Sequence, residues 1–563
     1  MGRIIKWLIY LALIGFIGLV AYAYVGEYFG ADFAPPQTEI RQPVELMHVK
    51  ALTALILSAA PLAAQQPLSA IDWLDDAPTR IAVTGSNATS TGTPEQAKTE
   101  APTANTATTP DVEVMTLDSS TTRDAVGLLP SSKTGLPANL WSASDARDVI
   151  SALADIEATV PAISTLVSTL LLAEADPPAV SEVDDALLVA RIERLIEDGA
   201  VDAAAALLER ADPNTKSLFP LWFDVTLLLG DMPEVCTTLL NDPSLAQDLS
   251  QRIFCLARAG QWHQASLTLS SAEALGQINQ RDADLLTRFL DPEMGEDTPM
   301  MPPPSKPSVL QFRLYESIGE PLPSYRLPRK FAVTELSGDQ GWRAQIVAAE
   351  RLARAGTLSS NRLLGIYTMR RPAASGGVWD RVEALQRFDR AITTRDPKSV
   401  GTALVNVWSK MKEAGLLVSF AELYADKLQG LPMSATAREV SAQAALLSPL
   451  YEEYALALES DPTFAFEAQI ARGIAPTQVS DRRFAAEIAA GFAEQEPSER
   501  VSSLLKQGKL GEAILQAIAL FQSGVDGNGP DLTEGLAALR TLGLEDTARR
   551  AALQLLIAGP SQS

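Results

Sequence analysis

Five stretches of the chain share one pattern: a leucine, a glycine four residues on and, in four of the five, an alanine five residues after that. They are "LIEDGAVDAAAALL" at Leu195, "LARAGQWHQASLTL" at Leu256, "LARAGTLSSNRLL" at Leu352, "LLKQGKLGEAILQA" at Leu504 and "LRTLGLEDTARRAA" at Leu539. The alanines are Ala204, Ala265, Ala513 and Ala548, with Asn361 as the exception. "TLLLGDMPEVCTTLL" around Gly230 is a looser copy with Val235 in the alanine position. The intervals Gly199 to Gly230, Gly230 to Gly260 and Gly508 to Gly543 are 31, 30 and 35 residues, the range of a helical-hairpin repeat. Glycine accepts the left-handed conformation that ends one helix, and a small residue one turn into the next lets two backbones approach. The turn glycines are therefore Gly199, Gly230, Gly260, Gly356, Gly508 and Gly543. Each hairpin leaves one apolar side uncovered, so neighbours are expected to stack into a solenoid; separate helix pairs in an ordinary bundle are the other reading.

Around these copies the composition is rich in Ala and Leu from Trp141 onward, with helical periodicity and almost none of the two-residue alternation of a half-buried strand. The expected fold is all-α. Asp212–Pro213 and Asp242–Pro243 are expected to stop second helices. A Pro-rich break at residues 294–308, inside "DPEMGEDTPMMPPPSKP", divides two helical repeat regions, 141–293 and 309–563. The glycine turn, the following alanine and the closing proline resemble tetratricopeptide repeats in a degenerate form. The tryptophan, Leu-Gly and tyrosine pattern of that family's first helix is absent. The whole layout also resembles uncharacterised alphaproteobacterial envelope proteins labelled antifreeze glycopeptide polyproteins. No regular Ala-Ala-Thr repeat is present, and ice binding is not inferred.

The first 140 residues read as export signals and a tether. "IIKWLIYLALIGFIGLVAYAYV", residues 4–25, is long enough at about 1.5 Å per residue to span a hydrocarbon core of roughly 30 Å. Arg3 and Lys6 precede most of it, while Glu27 and Asp32 follow, which places the N-terminus inside and the remainder outside the cytoplasmic membrane. Residues 47–64, "MHVKALTALILSAAPLAA", have the layout of a cleavable secretory signal. An apolar patch in a linker is the alternative. The pair suggests two joined coding units, with residues 1–46 a single-span membrane segment and translation of the rest beginning at Met47. Residues 65–140 are rich in Thr, Ala, Ser and Pro, and Asp75–Ala138 has no aromatic residue, so the expectation is a disordered tether with a reach on the order of 40 Å.

A formal charge of −23 argues against nucleic acid as a partner. Cys236 and Cys255 are nineteen residues apart; in an oxidising compartment they can pair, stabilising by about 3 kcal/mol, or they are two buried thiols. With two histidines, His48 in the signal-like segment and His263 in an expected turn, neither a catalytic triad nor a Cys/His metal site has its residues. No nucleotide-binding glycine motif occurs, and no cofactor is expected. Glu316–Ser317 matches the Glu-Ser dipeptide of lytic transglycosylases, but their later glycine-leucine-methionine-glutamine element is missing. Charge is uneven along the chain. In residues 142–293 acidic side chains outnumber basic ones more than two to one, whereas residues 309–398 hold fifteen basic against nine acidic. Arg370, Arg371 and Trp379 in "YTMRRPAASGGVWDR" are the candidate partner-binding residues, suited to an acidic peptide or anionic wall polymer. Solvated helix faces, or contact of these cations with the chain's own acidic half, would equally produce such an asymmetry. The expected function is a non-catalytic periplasmic or cell-envelope scaffold that binds a protein or peptide; an enzyme or binder of wall polymers is the alternative.

Overall fold

The computed structural model describes residues 123–560, apart from 159, 182, 231, 294–298, 338–339 and 495. The expected span at 4–25, the signal-like segment and the tether up to residue 122 lie outside the described residues. Among the described residues no helix is long and apolar enough to cross a membrane.

The described chain is all-α. No strand occurs among the described residues, only the isolated bridges Leu129–Ala173 and Asp145–Val180. Before the Pro-rich break stand α1 (Ala146–Asp155), α2 (Pro161–Leu172), α3 (Ala186–Glu197), α4 (Val201–Ala211), α5 (Phe219–Leu229), α6 (Pro233–Asn241), α7 (Leu249–Arg258), α8 (Trp262–Ala274) and α9 (Gln280–Leu290). After it come α10 (Val309–Ser317), α11 (Trp342–Arg354), α12 (Ser360–Thr368), α13 (Val378–Thr394), α14 (Pro397–Glu413), α15 (Leu417–Leu428), α16 (Ala435–Leu447) and α17 (Tyr451–Leu458). The last are α18 (Ala465–Ala471), α19 (Ala485–Ala493), α20 (Glu499–Lys506), α21 (Leu510–Val525), α22 (Gly529–Thr541) and α23 (Glu545–Ile557). Short polar side chains start many of them: Asp145, Asp248, Asn279, Ser359, Asp396 and Ser434 each accept a backbone N–H at a helix start. Helices α4 and α6 end at Ala211 and Asn241, just before Asp212–Pro213 and Asp242–Pro243.

Each full copy of the sequence pattern is a bend between two antiparallel helices, and its chemistry is the same every time. The leucine carbonyl accepts the N–H five residues on: Leu195 from Ala200 at 2.8 Å, Leu256 from Gln261 at 2.8 Å, Leu352 from Thr357 at 3.0 Å, Leu504 from Lys509 at 3.0 Å and Leu539 from Leu544 at 2.8 Å. The glycine N–H bonds the carbonyl three residues back, which completes a Schellman motif. All six turn glycines have φ between 76° and 89°. Gly230, in the looser copy, makes only a single bond to the Thr226 carbonyl at 2.9 Å. Downstream, Ala204, Ala265, Ala513, Ala548 and Val235 are fully buried, whereas Asn361 is exposed.

The expected tether extends too far. From Arg123 the chain is folded: Leu128 and Leu129 donate to the Leu172 carbonyl at 2.8 and 2.9 Å, and Glu174 donates back to Leu129 at 2.9 Å. Gly127 lies so close to this segment that a Cβ there would be 2.3 Å from the Glu174 nitrogen. Arg191 on α3, only 2 % exposed, holds the strap through carbonyls of Asp124, Val126, Leu171 and Ala173. The Asp124 carboxylate accepts the Leu188 N–H at 3.0 Å. Absence of aromatics misplaced the boundary, because this strap gains its order from backbone pairing and from Leu136 and Leu140, both buried.

The helices flanking the Pro-rich break pack together. Gln311 of α10 donates to Asp282 of α9 at 2.8 Å, and Arg313 donates to the Leu227 and Leu228 carbonyls at the end of α5. The path of the chain then returns to its own beginning. Gly511 at the start of α21 donates to the Leu140 carbonyl at 3.1 Å, with the Trp141 ring where its Cβ would be. Gln522 of α21 accepts the Glu157 N–H, and Gln554 of α23 accepts the Ala162 N–H at the start of α2, both at 2.8 Å.

Candidate functional site

The basic section divides into cations that hold the fold and cations that do not. In the first group Lys330 pairs with Glu197 at 2.6 Å, Arg329 with Asp198 at 3.4 Å and Arg362 with Asp202 at 3.3 Å, all three partners lying at the α3–α4 bend of the acidic section. Arg351 donates to the Ser324 and Leu327 carbonyls, and Arg354 to the carbonyl of Ala414. Contact with the chain's own acidic half thus accounts for part of the charge asymmetry. In the second group the side chains of Arg326, Arg343, Arg370, Arg371, Arg390, Arg395 and Lys398 are exposed and have no hydrogen-bond or ion-pair partner among the described residues; of these, Arg343 adjoins Trp342, and Arg370 and Arg371 open the loop that leads to Trp379.

Arg370 and Arg371 follow α12 and open the loop that leads through Gly376 (φ 93°) and Gly377 (φ 57°) into α13. Trp379, half-buried in the first turn of α13, packs on Trp342 with ring centroids 5.1 Å apart. Trp342 in turn donates its indole N–H to the Ile366 carbonyl at 2.8 Å, and Arg343 is its neighbour in α11. Gln386 clamps the loop from beneath, donating to the Tyr367 and Arg370 carbonyls at 2.7 and 2.6 Å. Asp380 accepts the Gly376 N–H at 2.7 Å. Deeper still, Arg381 makes a paired contact with Glu350 at 2.9 and 2.6 Å, and Tyr367 donates to the same carboxylate at 2.6 Å. Burial and the Glu350 charge hold the Tyr367 hydroxyl well above the usual phenol range. Tyr367 and Glu350 are both sealed, so this trio positions the loop and offers no proton to solvent.

Sequence reasoning placed Arg370, Arg371 and Trp379 on one short segment, and the structure adds Trp342 and Arg343 from a different hairpin. It had no means of finding Gln386 or Glu350, since nothing in local spacing marks side chains that meet across three helices. The arrangement can grip carboxylates with guanidinium forks and cover an adjoining apolar group with indole.

Elsewhere, His263 is not in a turn: it is exposed in the first turn of α8, because Trp262 already begins the helix. Glu316 pairs with Arg313 at 2.6 Å and the Ser317 hydroxyl donates to the Arg313 carbonyl, so that dipeptide serves its own helix. Cys236 on α6 and Cys255 on α7 are joined by a disulfide with Cα atoms 5.0 Å apart. Where α3 and α5 meet the basic section, burial pushes the Asp224 carboxyl up to about 6, against the opposing pull of Lys330. Burial, then Glu197, raises Glu193 as well.

In comparison with known proteins, no family model, no curated protein and no solved structure matches this chain.

Proposed function

We propose that this protein is a non-catalytic scaffold of the cell envelope that binds an acidic segment of a partner protein or peptide through Arg343, Arg370, Arg371 and the Trp379 face. The observation that carries the reading is the division of cations. Eight of the section's fifteen cations are bonded or paired within the chain, and of the seven that are free, three, Arg343, Arg370 and Arg371, lie on the segments that carry a supported aromatic pair. In this reading the hairpins are a degenerate tetratricopeptide-like solenoid, supported by the repeated Schellman bend. The contacts of α21 and α23 with the first helices favour a closed stack over an open one, which would leave the ends free. Residues 4–25 anchor it to the inner membrane and the rest works in the periplasm, where the Cys236–Cys255 disulfide suits an oxidising environment. Crosslinking in intact cells, followed by identification of the bound protein, tests the proposal. One acidic partner, lost with Arg370→Glu plus Arg371→Glu and retained with the double lysine variant, is the expected result. Capture unchanged by charge reversal would refute it.

A second reading, an enzyme acting on wall polymers, draws on Asp224, whose raised carboxyl could serve as an acid near neutral pH. Polymer turnover that disappears in Asp224→Asn with folding intact would favour this reading over the scaffold.

A further inference from the structure

Away from the basic section, a cleft of about 190 Å³ opens between the end of α15 and the helices α16 and α17. Leu428, Met433 and Leu458 give it an apolar lining. Two polar groups face the same space. Arg438 is exposed, and its guanidinium has no hydrogen-bond or ion-pair partner among the described residues. Ser441 is only 8 % exposed, and its hydroxyl has no hydrogen-bond partner among the described residues either. The Ser441 hydroxyl opens to solvent through the cleft and is free to turn to an acceptor that enters there. On the opposite rim the Tyr454 hydroxyl donates to Asp426 at 3.5 Å.

Size decides the class of ligand. Sites for cofactors and drug-sized molecules run to roughly 300–1,000 Å³, and one water takes about 30 Å³ of liquid volume. The cleft is therefore matched in size to one leucine-sized side chain with a neighbouring polar group and is smaller than a cofactor site. Its lining selects the apolar part, and an unpaired guanidinium at its wall selects an anion. We propose that this cleft is a peptide subsite, independent of the Trp379 face, for a large aliphatic side chain followed by an acidic residue. The aliphatic group enters between Leu428, Met433 and Leu458, the acidic side chain pairs with Arg438, and a peptide carbonyl accepts from Ser441.

The chain's two cysteines are bonded to each other, so Ser441→Cys in the full-length protein introduces a single free thiol at the cleft. Three peptides, Ac-Cys-Gly-Leu-Glu-amide, its Gln analogue and its Ser-Glu analogue, are activated as mixed disulfides with thionitrobenzoate. The thiolate attacks the peptide sulfur, a new disulfide forms, and thionitrobenzoate leaves as the coloured product. Its release gives the rate. A net charge of −23 slows an anionic peptide at an unspecialised thiol, so the proposal predicts the opposite order to the protein's general field. The Leu-Glu peptide should react about tenfold faster than either analogue. Adding Arg438→Gln should erase its advantage over Leu-Gln and leave the advantage of leucine over serine. Equal rates for the three peptides, or the same ranking at the exposed control Ser270→Cys, would overturn the proposal. Ala442→Cys, also at the cleft, supplies the same readout if Ser441→Cys does not fold.

Discussion

Two glycines on neighbouring hairpins show that the same substitution has different consequences for different physical reasons. Gly543 has φ of 82° and nothing near its missing Cβ, so Gly543→Ala loses only backbone comfort, about 1 kcal/mol. Gly511 has ordinary helical geometry, and by propensity alone alanine would stabilise α21 there. Its Cβ, however, would stand 2.3 Å from the Trp141 ring, so Gly511→Ala should destabilise by about 2–3 kcal/mol in denaturant unfolding of the full chain. Such turns were legible only where leucine, glycine and a small residue coincided. Gly276, Gly319, Gly415 and Gly473 make the same pair of backbone bonds with Ala272, Tyr315, Met411 and Gln469 in the leucine position. Arg281, Ser324, Phe420 and Gln478 stand where alanine was sought, so the pattern passed them over although the bend itself needs only the glycine. Asp224 adds a pH dependence with a defined sign. Folded, its carboxyl titrates near 6; unfolded, it titrates near 4, so between these values the native state holds a proton that the unfolded chain has released. Its contribution makes the fold less stable as pH rises from about 4 to about 6. Asp224→Asn should remove that decline, and at pH 7.5 should gain on the order of 2 kcal/mol over the parent, measured as the difference between the two unfolding curves.

Among the elements, helix starts and stops were the most readable, because caps and prolines act through the nearest few residues. The disulfide is the staple between α6 and α7, closing a loop of nineteen residues. Replacing Cys236 and Cys255 together by alanine should lower stability by about 3 kcal/mol in guanidinium unfolding, and hydrogen exchange should quicken first in α6 and α7. No change in either would mean that the hairpins on both sides hold these helices without it. The strap at residues 123–140 is the element that sequence reading missed. To its backbone pairing and buried leucines the strap adds Arg191, sixty-odd residues away, whose guanidinium burial lowers to about 10 and which stays charged at neutral pH. Arg191→Leu leaves four carbonyls short of a donor and should cost about 3–5 kcal/mol, with the amides of Leu128 and Leu129 losing their protection from exchange. Retained protection there would show that the strap stands without its arginine.

For the whole molecule, local pattern reveals hairpins and conceals how they close. Gln522 and Gln554 reach partners 365 and 392 residues away, and no periodicity announces such contacts. The candidate site was half legible for a related reason: Arg370, Arg371 and Trp379 share a short segment, whereas the engagement of Lys330 and Arg329 with α3 depends on the closed path. That division of cations is the claim on which the functional proposal rests. Its most direct test compares Arg370→Glu plus Arg371→Glu with Lys330→Glu, following partner capture in cells and melting temperature on the same proteins. Capture should fall at least tenfold with unchanged melting in the first, and melting should drop with capture retained in the second. Equal loss of capture in both, or loss in neither, would contradict the division and with it the assignment of a binding face around Trp379.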